Sequence, residues 1–206
     1  MASIKDIQNA LCDVRKAHRI LYAYQKRMMD IVMFICQKLD FNCVKGYKFF
    51  SNNAPKKILP GTWAWDYIYS YLYEYFLDEK EDIEQNNVFR MSIIQYSDTG
   101  FFDNEKSTRT KLTTFATEEE SQSKFLFMLE VKPKNCTWWW KTTDIINDKN
   151  YASKSHTSTI LEKGNNKIVL YSIPIEKFLN EDATIDVLNE FCDFCRVNGI
   201  IDLTLH

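Results

Sequence analysis

The sequence predicts an α+β protein, in which a mostly antiparallel sheet of about four to five strands packs against a long N-terminal helix and a shorter C-terminal helix. Apolar residues at helical spacing run from the N-terminus to about residue 40. The segments that follow do not show the regular strand and helix alternation of a parallel sheet. We expect residues 1–206 to form a single domain. The predicted strands lie near residues 69–77, 88–97, 124–132 and 167–173.

The first predicted element is a long amphipathic helix over residues 1–40, which begins at Ser3, a good N-cap residue. Its apolar residues alternate steps of three and four, and only His18 and Gln25 interrupt the stripe. Some 36 helical residues span ~54 Å, which is longer than a compact domain of this size requires. The helix therefore either bends around the sheet, or part of it projects and mediates assembly on a second copy or a partner. The stripe consists of Ile4, Ile7, Leu11, Val14, Leu21, Met28, Val32, Ile35 and Leu39.

The side of this helix opposite the apolar stripe is basic. Six cations fall within an arc of about 120 degrees on an ideal helix. Residues 1–60 hold eleven Lys or Arg and four Asp, a net charge of +7, whereas the whole chain has a net charge of -2. The face is either a solvated surface balanced by acidic segments of the same chain or a docking surface for a polyanion. The six cations are Lys5, Arg15, Lys16, Arg19, Lys26 and Arg27.

Residues 61–77 form an aromatic run with a tryptophan or tyrosine at every odd position from 63 to 75. This period of two is typical of a strand, although polar residues recur at every fourth position, as on a helix. Because the run is long for one strand, we predict a turn and a short helical or irregular segment over 61–68 and a strand over 69–77. We interpret the aromatic side chains as the wall between the sheet and the long helix.

The remaining elements are marked by local signals. The acidic stretch 78–87 is predicted to connect two strands of a hairpin, because it is polar and a good strand follows it. Segment 124–132 is almost continuously apolar, so we expect it at the centre of the sheet. A short strand over 46–50 is a further candidate. The C-terminal helix is predicted to be capped by Asp182 and ended by Gly199.

Three consecutive tryptophans, Trp138, Trp139 and Trp140, lie in a lysine-rich stretch over residues 133–166. Three adjacent side chains cannot all face one core in a helix or strand, so at least one should be exposed or covered by a loop or partner. Aromatic side chains beside lysines can stack on nucleic acid bases. The three tryptophans therefore join the basic helix face as candidate binding residues, with packing in a core or loop as the alternative.

One short sequence pattern is typical of a catalytic site. Glu130, Val131 and Lys132 end an apolar strand, and Asp98 ends the strand before it. This pattern resembles the core of the PD-(D/E)xK nuclease family. The resemblance implies that Asp98 and Glu130 hold Mg²⁺, that an activated water attacks the phosphodiester, and that Lys132 steadies the nucleophile or the transition-state charge. A strand that simply emerges into water has the same sequence character.

Other chemistry has less support in the sequence. His18, His156 and His206 are far apart, and none of the five glycines belongs to a phosphate-binding motif. Cys192 and Cys195 have CxxC spacing inside a helical pattern, which we interpret as core packing because no second pair completes a zinc ligand set. We expect six free thiols and no cofactor, with Mg²⁺ only in the nuclease alternative.

Neither a signal peptide nor a membrane-spanning segment is indicated by the sequence, so we expect a cytoplasmic protein. The preferred hypothesis is a small protein that acts by contact, as an inhibitor or regulator. It would dock an acidic protein surface or a nucleic acid through the basic helix face, the tryptophans, or both. A Mg²⁺-dependent nuclease is the first alternative. A homodimeric scaffold that uses the apolar stripe is the second.

Overall fold

The computed structural model describes residues 3–52, 64–68, 70–148 and 158–206. The α+β class is confirmed, with six strands among the described residues, slightly more than the four to five predicted. The strands are β1 (Cys43–Lys48), β2 (Leu72–Asp82), β3 (Asn87–Tyr96), β4 (Lys124–Pro133), β5 (Thr159–Lys163) and β6 (Asn166–Pro174). The helices are α1 (Ile4–Lys38), α2 (Gly100–Asp103), α3 (Thr142–Asn147) and α4 (Glu181–Val197). Short 3-10 helices cover Ala64–Tyr67, Leu112–Thr114 and Ile175–Lys177.

The strands form one antiparallel sheet in the order β1-β2-β3-β4-β6-β5. As predicted, β4 is internal, and nearly all of its side chains are buried. The acidic stretch after Leu77 differs from the prediction, because Asp78 to Asp82 continue β2 and only residues 83–86 form the turn. A bulge between Phe76 and Glu79 separates the apolar and acidic halves of β2. The acidic half of β2 can carry polar side chains because several of them are exposed to solvent.

Local sequence signals account for the ends of the helices. At the start of α1, Ser3 and Asp6 form a capping box, in which each side chain accepts a hydrogen bond from the other residue's backbone N–H. The last helix, α4, is capped by Asn180 and not by Asp182 as predicted. It ends before Gly199, which has a φ of +62° and supplies the left-handed conformation that helix ends favour.

Two hydrophobic clusters cover opposite faces of the sheet. The first lies between the sheet, the C-terminal half of α1 and α4, and includes Met28, Phe127 and Phe191. The second cluster lies on the other face of the sheet, under loops and short helices, and includes Phe50 and Trp140. No helix in the described part of the chain combines the length and apolar character needed to cross a bilayer.

The aromatic run contributes to both clusters, which corrects the interpretation that it forms a single wall. Tyr73 and Tyr75 face α1 in the first cluster. Trp65 and Tyr71 belong to the second cluster, where Trp65 stacks on Phe115 at 6.1 Å between ring centroids. The strand begins at Leu72, so the residues before it are free to turn to the other face. Trp63, Tyr69 and His156 lie outside the described residues.

Candidate functional site

The N-terminal part of α1 is the most exposed regular element of the described chain. Every residue from 4 to 23 is exposed except Cys12, which is half-buried. We call residues 4–23 the arm; its 20 residues extend over ~30 Å. Ile4 is 78% exposed and Leu11 is 52% exposed, although both belong to the apolar stripe. From Met28 onward, the same stripe is buried against the sheet.

The predicted basic residues of α1 have different roles in the structure. Arg15 and Arg19 are exposed on the arm, Lys26 is exposed just beyond it, and none of the three has an ion pair with another described residue. Lys16 forms an exposed ion pair with Asp13 at 3.0 Å, and such pairs contribute little free energy. Arg27 lies at the base of the arm, where its Nη2 donates to two backbone carbonyls before α4.

Arg27 therefore anchors α1 to the rest of the protein through its Nη2 atom. Its acceptors are the carbonyl oxygens of Phe178 and Leu179, at 2.9 and 3.0 Å. Of the six predicted cations, the four that are exposed and have neither a described ion pair nor such a backbone anchor are Lys5, Arg15, Arg19 and Lys26.

A polar cluster marks the point where α1 first meets the sheet. Gln25 Nε2 donates to the Tyr75 hydroxyl at 2.9 Å, and that hydroxyl donates to Gln95 Oε1 at 2.9 Å. Gln95 Nε2 closes the triangle by donating to Gln25 Oε1 at 3.2 Å. Burial raises the pKa of the Tyr75 phenol, so the hydroxyl keeps its proton and can donate. The polar interruption at Gln25 thus lies close to the end of the arm.

Each of the three tryptophans has a different environment, and the prediction that at least one is exposed is confirmed. The Trp138 ring has the Arg90 guanidinium 4.3 Å and the Lys132 ammonium 4.7 Å from its centroid. Trp140 is buried in the second cluster. Trp139 is 49% exposed, and the Lys163 ammonium lies 4.1 Å from its ring centroid.

Glu130 holds the tryptophan loop (residues 137–141) against the sheet. Its carboxylate is 1% exposed and accepts hydrogen bonds from Arg90 Nη2 at 2.8 Å and from the Trp139 amide at 2.9 Å. Arg90 Nη2 also donates to the Trp140 carbonyl at 2.9 Å. Arg90 and Glu130 are directly opposed on β3 and β4, so strand register brings the two charges together. This arrangement satisfies both carboxylate oxygens within the protein.

The three residues of the nuclease resemblance are not brought together. In the antiparallel pair, Tyr96 lies opposite Lys124, which places Asp98 beyond that end of β4. Glu130 lies six residues further along β4, a distance of roughly 20 Å. Asp98 Oδ1 accepts instead from the Gly100 amide at 2.7 Å. Across the residues that the structure describes, no group of three or more His, Cys, Asp or Glu side chains is placed to hold a metal ion.

A groove of about 430 Å³ lies beside the Arg90 side chain, on the sheet face that carries the tryptophan loop. One wall carries the buried Glu74, which accepts a hydrogen bond from the Thr142 hydroxyl at 2.6 Å. Cations and a carboxylate both line the groove, so its charge does not select one class of ligand. The lining includes Lys45, Tyr47, Phe49, Glu74, Phe76, Arg90, Met128, Trp140, Lys141, Thr142 and Thr143.

The basic face of α1 and the tryptophan loop belong to different layers, because α1 packs on one face of the sheet and Trp140 packs on the other. They do not form one continuous surface. Sequence reasoning missed the partnership of Arg90 and Glu130, although a signal was present. Arg90 is the only charged residue of β3 and Glu130 is the only acidic residue of β4, so the two signs are opposite.

A family model described as PM0109 matches residues 4–199, almost the whole chain, and this description states no activity or ligand. No curated protein and no solved structure matches the chain. The candidate site therefore rests on the exposure and charge of the arm.

Proposed function

We propose that this chain, which belongs to the PM0109 family, is a cytoplasmic binding protein that acts by contact and docks an acidic protein surface through the basic face of α1. The observation that carries the proposal is the arm itself, which extends over ~30 Å with nearly all its side chains exposed. An isolated helix of this length is only marginally stable in water, and most helices in proteins depend on packing of an apolar face.

The distribution of charge favours an acidic protein over nucleic acid. Along α1, exposed Asp6, Asp13 and Asp30 are interspersed among the cations, and Asp30 lies within the arc of the basic side. Duplex DNA carries one phosphate charge per about 1.7 Å of its axis, so Asp30 would face a dense row of like charge and the other two would lie near it. A protein surface can place single carboxylates opposite Arg15, Arg19 and Lys26 and leave the aspartates solvated.

The cysteines support the cytoplasmic part of the proposal. All six cysteines are free thiols, three of them buried in the core. Free thiols are the usual state in a reducing compartment, whereas small secreted domains pair their cysteines.

The test compares wild type with the triple reversal Arg15→Glu, Arg19→Glu and Lys26→Glu. A matched control reverses three exposed lysines away from the arm: Lys106→Glu, Lys111→Glu and Lys177→Glu. Each protein serves as bait in a lysate of the source cells, with and without nuclease treatment. The captured protein is then purified and titrated by calorimetry at two salt concentrations.

We expect the arm reversal to weaken binding of the purified partner at least about tenfold, because like charges placed across an interface repel. The control should change affinity less than about twofold, and added salt should weaken wild-type binding. Equal affinity of the arm reversal and wild type would contradict the proposal. Capture that disappears on nuclease treatment would assign the arm to nucleic acid instead.

A further inference from the structure

We propose that the arm pairs with the arm of a second copy of this chain, as an antiparallel two-stranded coiled coil. The inference concerns the apolar side of the arm and does not rest on the proposed function, which uses the basic side. An exposed apolar stripe of this length on a folded protein is typical of an interaction surface.

The stripe is continuous with an interface that already exists within the chain. Alternating steps of three and four continue from Ile4 through Leu21 to Leu39, which is the spacing of a coiled-coil seam. We call the apolar stripe, together with His18 and Gln25 that interrupt it, the seam. Beyond Gln25, the seam is buried against the sheet and α4. Before Gln25, it is exposed. The same side of one helix is thus covered along half of its length and uncovered along the other half.

The position of the sheet decides the direction of pairing. From Met28 onward, the sheet occupies the side of α1 that carries the seam. If two arms paired in parallel and in register, the seam of one helix would face the seam of the other along their whole length. The two sheets, which lie on the seam side beyond Gln25, would then occupy the same space between the helices. Antiparallel arms place each sheet beyond the N-terminus of the other arm. Only the antiparallel arrangement leaves room for both copies.

The register follows from the spacing of the seam. Placing Ile4 opposite Leu21 of the second copy also places Ile7 opposite His18 and Leu11 opposite Val14. Every seam position of one arm then meets a seam position of the other, as knobs-into-holes packing requires. Each His18 then lies opposite Ile7 of the other copy, so the two imidazoles occupy separate layers of the pair.

The residues that flank the seam suit a second copy. In this register, Ala10 lies opposite Ala17 on one side, where small side chains permit close approach of the helices. Gln8 lies opposite Arg15 on the other side, so no like charges meet. Lys5, Lys16 and Arg19 remain on the outer surface of the pair.

The area is close to what a stable dimer requires. The paired part of the arm, from Ile4 to Leu21, is ~27 Å long and, with solvent, ~14 Å wide, which corresponds to a helical surface of roughly 1,200 Å². Covering the apolar side, a little over a third of it, buries roughly 900 Å² over both copies. A specific interface buries at least about 1,000 Å² in total. The dimer should therefore be reversible and visible at micromolar to submillimolar concentrations.

Sedimentation equilibrium and light scattering test the assembly on the full chain. Wild type should approach twice the chain mass of 24.4 kDa as its concentration rises. The variant Leu11→Lys with Leu21→Lys should remain a monomer at the same concentrations. The matched control Asn9→Lys with Ala23→Lys adds the same charge to the outer side of the arm and should dimerise like wild type. Near-ultraviolet circular dichroism verifies that each variant retains the core, which these positions do not contact.

Disulfide trapping tests the direction, in a background where Cys12, Cys43 and Cys136 are replaced by serine. Leu11→Cys alone and Val14→Cys alone should not crosslink, whereas an equal mixture of the two should form the mixed disulfide. Efficient crosslinking of Leu11→Cys alone would show parallel arms and overturn the proposal. A monomeric wild type at all concentrations, or a dimer that persists in Leu11→Lys with Leu21→Lys, would also overturn it. Loss of partner capture in the arm reversal, with the dimer intact, would concern only the proposed function.

Discussion

The side-chain amide of Gln25 donates a hydrogen bond to the hydroxyl of Tyr75, 50 residues later in the chain, at 2.9 Å. This contact lies next to the partly buried Tyr24, and the residues before Tyr24 form the exposed arm. Gln25 is also the only polar residue of the seam that the sheet covers. The contact therefore ties α1 to the sheet close to the end of the arm.

Replacing Gln25→Leu should lower the free energy of unfolding by about 1–2 kcal/mol, because Tyr75 and Gln95 each lose one buried hydrogen bond and keep another. Urea denaturation followed by circular dichroism measures the change. The exposed Gln37→Leu on the same helix serves as the control and should change stability by less than about 0.5 kcal/mol. Equal effects of the two substitutions would mean that the polar triangle contributes nothing specific.

Replacing Glu130→Gln should cost about 3 kcal/mol or more, since it leaves the partly buried Arg90 guanidinium without its counter-charge. The double variant Arg90→Leu with Glu130→Leu should cost less than the sum of its single changes. Exposed Glu79→Gln on β2 is the matched control. Tryptophan fluorescence should also change, because Glu130 holds the amides of Trp139 and Trp140. A stability equal to wild type would show that the tryptophan loop is held by other contacts.

Lys124 should make stability depend on pH. Burial lowers the pKa of its ammonium from about 10.5 to about 8, with an opposing influence from Asp103. Between these values, the unfolded chain binds more protons than the folded chain, so the contribution of Lys124 to stability rises with pH. Over this interval, wild type should gain up to about 3 kcal/mol relative to Lys124→Met.

The comparison with Lys124→Met is needed because other groups titrate in the opposite sense. Burial raises the pKa of Cys36 and Cys195 to about 12 and that of Cys192 to about 11, so these thiols lower stability as pH rises above about 9. Denaturant unfolding at pH 7.5, 9 and 10.5 measures both proteins. A difference between them that stays constant with pH would contradict the assignment.

The cysteines should react with iodoacetamide in two groups. Cys36, Cys192 and Cys195 are buried, and their raised pKa values leave almost no thiolate at pH 8. The accessible Cys12, Cys43 and Cys136 should be alkylated first in the native protein, and all six should react in denaturant. Mass spectrometry of peptides measures the rates. Fast native alkylation of Cys192 and Cys195 would favour a reactive CxxC over core packing.

Most of the regular elements could be predicted from the sequence because their signals are local. The helix period, the Ser3 cap and the apolar run of β4 need no distant contact to be recognised. The predicted boundary at the aromatic run was less accurate, because aromatic side chains favour a strand without specifying which face of the sheet they cover. Tyr71 and Tyr75 belong to opposite clusters although both are aromatic and four residues apart.

The candidate site was predictable in its composition and not in its geometry. Helical periodicity alone places Arg15 and Arg19 on one side of α1 and the apolar seam on the other. Which cations stay available was decided by tertiary contacts: Arg27 donates to carbonyl groups 151 and 152 residues away. Strand pairing likewise decided that Glu130 meets Arg90 and that Asp98 lies at the other end of β4.

By itself, the sequence determined the length of α1, its apolar seam and its basic side, because these depend on residues a few positions apart. Only the tertiary structure decided that the sheet covers the seam beyond Gln25 and leaves the arm exposed. The periodic pattern is the same along the whole helix, so it carries no information about where the covering ends. That point depends on how far the sheet extends along α1, and Gln25 contacts Tyr75 and Gln95 close to it.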